Sequence, residues 1–259
     1  MSNYYFVGSI LPTLSFETES EINFLELDQL LKDNLTQKDY QKTKIIRRFF
    51  DILNLRSLWV NESIDPRGEM SVYEIEEALI TNVGLPDYIF DFLARYQTLE
   101  DRLENFPFLL ANFFKDAQQE PDPFLKAYFT FERELRLVMT GFRAKKLGRD
   151  LGLELRYENL EEEIINEIIS QKDAKVFEPP EKYETLKFYF DKFGEEPLVL
   201  QKALDEYRFN FIDQLVDMSD AFSIERILSY MIQLIIVEKW FELDKAKGMQ
   251  IVDIIVKEG

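Results

Sequence analysis

The sequence predicts an all-α protein made of stacked helical bundles. Over several long segments the apolar side chains recur at steps of three and four residues, which is the spacing of one face of a helix. Glycine and proline occur nine times each among the 259 residues, whereas a sheet protein needs such residues for frequent turns. Hydrophobic residues make up 46% of the chain and include 23 Phe and 12 Tyr, which is ample material for a packed core.

Residues 1–120 are predicted to form an N-terminal helical bundle. The first segment, residues 4–10, is rich in aromatic and β-branched side chains, and we expect a short extended segment that packs on helices. One helix start is well defined, because Ser71 and Glu74 have the spacing of a capping box, in which each side chain accepts a hydrogen bond from the other residue's backbone N–H. The helices of this part are predicted at residues 24–34, from 36 to beyond 53, 71–83, 86–96 and 98–114.

Residues 121–259 are predicted to form a C-terminal helical region, after a polar, proline-bearing linker at residues 116–123. The longest helix is expected at residues 124–150, because one apolar stripe runs along it, and Gly148 and Gly152 mark its end. This stripe consists of Phe124, Tyr128, Phe131, Leu135, Val138 and Phe142. Further helices are predicted at residues 158–170, 183–193, 197–218 and 220–244, with a last short helix at 249–256 after a break at Gly248.

Two short segments suggest an internal duplication. Residues 129–135 (FTFEREL) resemble residues 222–228 (FSIERIL), and without a gap Lys146 then falls opposite Lys239. A duplication would place a second repeat unit at residues 220–247 and would make the protein two or three stacked bundles. Chance similarity is the alternative, because Glu-Arg pairs are common on helices.

Composition excludes several classes of function. The net charge of −18 is unfavourable for binding phosphate backbones or anionic lipid surfaces. The chain has no Cys and no His, so disulfides, thiolate or histidine catalysis and the usual zinc sites are excluded. The most apolar stretch, residues 227–237, is too short to span a membrane and is predicted to be a buried core helix. We expect a cytoplasmic protein without cofactor or metal.

No catalytic motif is present. Gly148 and Gly152 lack the spacing of a phosphate-binding loop and follow a helix rather than a strand, so a helix C-cap is the simpler interpretation. Glu161, Glu162 and Glu163 occupy consecutive helix positions and point in different directions. They are predicted to form a solvated face rather than a metal site.

The predicted helix at residues 124–150 carries a cluster of cations inside this acidic chain. The six residues are Arg133, Arg136, Arg143, Lys145, Lys146 and Arg149. One interpretation is that they form a docking surface for an acidic partner. The other is that they pair with the chain's own carboxylates and with the negative end of the helix. The sequence leaves both open.

The same helix carries a resemblance to a known family. Residues 131–136 (FERELR) and 143–150 (RAKKLGRD) resemble the central-stalk C subunit of V-type ATPases, called d in eukaryotes. The tail, residues 238–244 (EKWFELD) with Lys247 and Gly248, is also similar to that family. The opening residues 4–7 (YYFV), with Leu11 and Pro12, and the total length are more similar to a short bacterial family encoded among V-type ATP synthase genes.

The resemblance implies an all-helical, funnel-like protein without chemistry of its own. In that family three similar bundles surround a socket for the rotor shaft, and the opposite face sits on the membrane c-ring. It implies partners of those two kinds, a role in ion transport, and a cytoplasmic location held to the inner membrane through other subunits. Because this chain is short, one bundle is expected to be missing or trimmed. The alternatives are a helical adaptor or scaffold unrelated to ATPases and, third, an enzyme that uses carboxylates alone.

Overall fold

The computed structural model describes the backbone of residues 4–258 and the side chains of residues 4–246. Within that part of the chain the secondary structure consists of thirteen α-helices and one short 3-10 helix at Glu181–Tyr183, without a strand. The all-α prediction is confirmed. The helices are α1 Tyr5–Ile10, α2 Phe24–Asn34, α3 Gln37–Trp59, α4 Val72–Thr81, α5 Asp87–Arg95, α6 Leu99–Glu104, α7 Phe106–Ala117, α8 Pro123–Leu147, α9 Leu151–Glu154, α10 Glu163–Ser170, α11 Glu184–Phe193, α12 Pro197–Leu215 and α13 Ile224–Glu258.

The chain is divided into two compact units, and the boundaries fall inside α3 and α12. The terminal unit combines the chain up to Ile46 with the chain from Gln201 onward, and the middle unit is Arg47–Leu200. The predicted boundary at residue 120 does not coincide with this division, because α7 and α8 pack directly across it. The rings of Phe113 and Phe129 have centroids 5.4 Å apart, and Gln118 Nε2 donates to Thr130 Oγ1 over 3.3 Å.

In the terminal unit, the segment expected to be extended is helix α1, so that prediction is wrong. Long-range contacts hold the helix in place: the backbone N–H of Tyr4 donates to the Phe222 carbonyl over 2.8 Å, and the Tyr4 hydroxyl donates to Asp39 over 2.5 Å. Val7 is fully buried. Gly8 allows close approach, since a Cβ there would lie 2.7 Å from the Phe222 ring.

Helix α13 is longer than predicted. Its backbone runs without interruption through Gly248, where the sequence predicted a break, because a lone glycine inside a helix costs only about 1 kcal/mol relative to alanine. The predicted core stretch is confirmed: Ile227, Leu228, Met231 and Leu234 are fully buried. Among the described residues, no helix is both long and apolar enough to cross a bilayer.

In the middle unit, local signals set the ends of α4 and α8. The capping box of Ser71 and Glu74 is present at the start of α4. Asp122 caps the start of α8 through the backbone N–H groups of residues 124 and 125, and Gly148 ends it in the left-handed conformation, with φ of 63°. The predicted C-cap is confirmed, although α8 ends at residue 147 and the prediction extended it to 150. The apolar stripe of α8 faces the core, with only Tyr128 half-buried.

The two similar segments occupy different positions on their helices. Residues 129–135 lie wholly inside α8, which begins at Pro123. Residues 222–228 straddle the first residue of α13, Ile224. The structure therefore does not place the two segments equivalently, and the duplication stays a prediction.

Candidate interaction surfaces

The first cation of the α8 cluster, Arg133, lies in the interior of the middle unit. Its side chain is 7% exposed, and Nη2 is 2.7 Å from Oε2 of Glu158, whose side chain is 6% exposed. The same guanidinium donates to Glu162, at the start of α10. Burial alone would lower the pKa of Arg133, but the hydrogen bonds to Glu162 and Glu158 outweigh it and raise the pKa. Arg133 therefore makes an internal ion pair, as the second interpretation of the cluster predicts.

Arg136 follows Arg133 on the same side of α8. Its Nη1 lies 3.6 Å from Oε1 of Glu158, and the guanidinium lies 5.9 Å from the centre of the Phe114 ring. Burial lowers the pKa of Arg136, although the charge of Glu158 acts in the opposite direction. Arg133 and Arg136 thus converge on one carboxylate, and neither presents its charge fully to solvent.

The remaining cations lie near the solvent-exposed end of α8. Lys145 Nζ donates to the carbonyls of Lys172 and Ala174 over 2.6 and 2.7 Å. Lys146 contacts Glu195 over 3.0 Å, and Arg149 contacts Glu154 over 3.5 Å. Arg143 is exposed. Pairs of this exposed kind contribute only about 0–1 kcal/mol each, so they can be exchanged for contacts with a partner at little cost.

Two exposed leucines accompany these cations. Leu147, the last residue of α8, is 60% exposed, and Leu153 in α9 is 63% exposed. Between them lies Gly148, whose left-handed conformation ends α8. We call the group of Arg143, Lys145, Lys146, Leu147, Arg149 and Leu153 the basic end. It combines exposed apolar side chains, which mark candidate interaction sites, with arginine, which is enriched at protein interfaces.

A second surface, which the sequence did not predict, lies on α4 and just beyond its end. Tyr73 and Ile80 are 73% and 82% exposed, on the side of the helix opposite its buried residues Ile75 and Ala78. Val83, two residues after the helix, is 69% exposed. The available signal was that Tyr73 and Ile80 fall at helical spacing on the side of α4 opposite Ile75 and Ala78, whereas a helix packed on one face needs a single apolar stripe.

Beside α4 lies a cleft of about 810 Å³. Five carboxylates line it, those of Asp51, Glu69, Glu74, Glu77 and Asp116. Among the described residues that line the cleft, Arg48 is the only cation, and its Nη1 lies 3.5 Å from Oδ2 of Asp116. We call this cavity the acidic cleft.

Asp51 is a buried carboxylate of the acidic cleft. It accepts a hydrogen bond of 3.0 Å from the backbone N–H of Met70. Burial raises the pKa of Asp51 to about 6, and the nearby charge of Glu69 adds to this, although the Met70 N–H and Arg47 act against it. The negative potential of the cleft therefore strengthens as the pH rises through this value.

The consecutive glutamates at residues 161–163 have separate roles. Glu162 binds Arg133, which corrects the prediction that all three form a solvated face, while Glu163 begins α10. Among the residues whose side chains are described, no cluster of acidic side chains has the arrangement of a metal site.

The chain belongs to the family described as protein of unknown function DUF2764, which it matches over residues 1–259. A relative from Chlamydia trachomatis, described as an uncharacterized protein, is 32% identical over 221 residues, which cover 83% of each chain. A relative from Chlamydia muridarum with the same description is 28% identical over 263 residues, covering 99% of this chain and 98% of the relative. No solved structure matches the chain.

The predicted membership of the V-type ATPase central-stalk family is wrong. The matching family covers the whole chain, and neither that family nor these relatives are described as parts of an ATPase. The two motifs that suggested the resemblance, residues 131–136 and 143–150, consist largely of Arg, Lys, Glu and Leu. These residues favour helices in many unrelated proteins, so a short run of them does not identify a family.

Proposed function

We propose that this member of the DUF2764 family is a non-catalytic helical adaptor that binds an acidic surface of a partner protein through its basic end. The observation that carries the proposal is the pair of exposed leucines, Leu147 and Leu153, set among cations in a chain with a net charge of −18. Two cations of the basic end lie beside the carboxylates of Glu154 and Glu195, so this surface is only weakly charged. It still contrasts with the acidic remainder of the chain, which repels an acidic partner and so directs association to the basic end.

The contacts of the cations support a surface that can change partners. Arg149 is 61% exposed and its carboxylate partner is 3.5 Å away, so the pair is held loosely. Lys145 donates to two carbonyl oxygens, and these neutral acceptors leave its charge uncancelled. Arg133 and Arg136 do not belong to this surface, because they contact Glu158 in the interior.

The proposal of an adaptor also agrees with the composition. Without histidine and cysteine, the chain lacks the residues that most often serve as general base or nucleophile near neutral pH. Binding through apolar and charged side chains requires neither.

Site-specific cross-linking tests the proposal. A photoreactive amino acid is placed at position 153 of the full chain in its native host, and the cross-linked protein is identified, purified and titrated against the chain. We expect the double variant Arg149→Glu/Leu153→Ser to weaken binding about tenfold or more, because arginine is prominent among the residues that dominate interfaces and a serine at position 153 buries less apolar surface than leucine. Binding of the wild-type chain should also weaken with added salt.

The matched control changes a cation and a leucine elsewhere. Lys32 and Leu25 are both exposed on α2, so Lys32→Glu/Leu25→Ser alters charge and apolar surface equally and should leave binding unchanged. Equal loss in both variants, or none in Arg149→Glu/Leu153→Ser, would refute docking at the basic end.

A further inference from the structure

The exposed face of α4 carries two large apolar side chains, Tyr73 and Ile80, that no part of the described chain covers. Tyr73 and Ile80 project away from the core while Ile75 and Ala78 fill it, so the helix is apolar on two opposite sides. Val83 adds a third exposed apolar side chain just after the helix. Folding of the middle unit requires only one apolar side of α4. Exposed apolar side chains that group on one side of a helix, as here, are typical of a contact surface.

The acidic cleft adjoins this face and defines the charge of that molecule. Glu77 lines the cleft and lies one turn from Tyr73 and Ile80 along α4. Glu74, from the first turn of α4, lines it as well. Val83 also belongs to the lining. Any molecule that covers the apolar face therefore meets several carboxylates at the same time.

We infer that the α4 face and the acidic cleft together bind a basic amphipathic segment of a partner protein. Apolar side chains of that segment cover Tyr73, Ile80 and Val83, and its lysines or arginines enter the acidic cleft. Tyr73 and Ile80 are seven residues apart, which corresponds to roughly 10 Å along a helix. A partner helix with apolar residues two turns apart has the same spacing.

The surface does not suit the other simple occupants. A second copy of the chain carries the same net charge of −18, which opposes self-association even though its basic end is locally cationic. A small cation would leave the apolar face uncovered, and a cleft of about 810 Å³ is large enough for several side chains. The inference is independent of the proposed role of the basic end, because the two surfaces share no residue.

The test uses synthetic peptides and the full chain. The first peptide is an amphipathic helix of leucine and lysine, the second replaces every lysine by glutamate, and the third keeps the lysines but replaces every leucine by serine. Fluorescence anisotropy should show binding of the first peptide only. The variant Glu77→Lys/Ile80→Ser should weaken that binding about tenfold, with an unchanged circular dichroism spectrum, because both side chains are exposed.

A matched variant separates this site from general attraction to an acidic protein. Glu161 and Val176 are exposed in the same unit, so Glu161→Lys/Val176→Ser makes a comparable change in charge and apolar surface. We expect it to bind the leucine–lysine peptide as the wild type does. Equal weakening in both variants, binding of the lysine–serine peptide with similar affinity, or no loss in Glu77→Lys/Ile80→Ser would overturn the inference. If the chain self-associates with increasing concentration and Glu77→Lys/Ile80→Ser abolishes this, the occupant is a second copy of the chain. That result would also overturn the inference.

Discussion

Replacing Arg133 with methionine should destabilise the protein strongly, because it leaves a buried carboxylate without its cation. Arg133 and Glu158 are 7% and 6% exposed and lie 2.7 Å apart. Removing one member of a buried pair costs about 3–5 kcal/mol. Glu162 is 38% exposed, so solvent compensates it, and Arg136 remains 3.6 Å from Glu158. We therefore expect the low end of the range, about 3 kcal/mol.

Urea unfolding at neutral pH, followed by far-UV circular dichroism, measures this loss. A change of about 3 kcal/mol corresponds to a fall in the melting temperature of about 6–12 °C for a chain of this size. Arg149→Met provides the comparison, because its exposed ion pair with Glu154 should contribute less than about 1 kcal/mol.

The double variant Arg133→Met/Glu158→Leu distinguishes lost charge pairing from lost packing. Removing both charges leaves no unpaired carboxylate at position 158, although it also takes the Glu158 carboxylate away from Arg136. The double variant should therefore recover part of the lost stability. The reasoning is refuted if Arg133→Met unfolds at the same urea concentration as the wild type. If the double variant is no more stable than the single one, lost packing together with the charge of Arg136, now without the Glu158 carboxylate, outweighs the removal of the unpaired carboxylate.

Two further substitutions test other parts of the middle unit. Burial raises the pKa of Asp51 from 3.8 to about 6, so the protonated side chain stabilises the fold below pH 3.8 and this contribution is lost as the pH rises through 6. Relative to Asp51→Asn, the free energy of unfolding of the wild type should therefore fall by about 3 kcal/mol between roughly pH 4 and 7. A constant difference between the two urea curves over that range would contradict this. Gly141→Ala should lower the free energy of unfolding by about 1–2 kcal/mol, because the new Cβ would overlap the buried ring of Phe177. This cost should exceed the helix-favouring effect of alanine. A higher melting temperature for this variant would show that the ring moves freely.

The sequence was sufficient to predict elements that depend on neighbouring residues. The capping box of Ser71 and Glu74 starts α4, and Gly148 ends α8, because the hydrogen bonds of a cap form within one turn of the helix. The buried stripe of α8 was also predictable, since its spacing is fixed by helix geometry.

Elements that depend on distant residues were not predictable in this way. Residues 4–10 have the composition of a strand, yet they form α1, where Tyr4 contacts Phe222 and Asp39. The terminal unit joins the two ends of the chain, and no local pattern encodes that pairing. Tertiary contacts therefore override the local β-propensity of this segment.

The cations of α8 show why the candidate site was only partly predictable. Spacing places Arg133 and Arg136 near one another on the helix surface, but it does not indicate how much protein covers each turn. Glu158 and Glu162 come from the segment between α9 and α10, and they cover Arg133. Beyond Ala144, the last buried residue of α8, the chain emerges from this cover, so Lys146 and Arg149 make only exposed ion pairs. One periodic pattern of charge thus contains an internal ion pair at one end and a candidate docking surface at the other. The depth of burial along α8 decides whether a cation of this pattern pairs inside the protein or remains available to a partner.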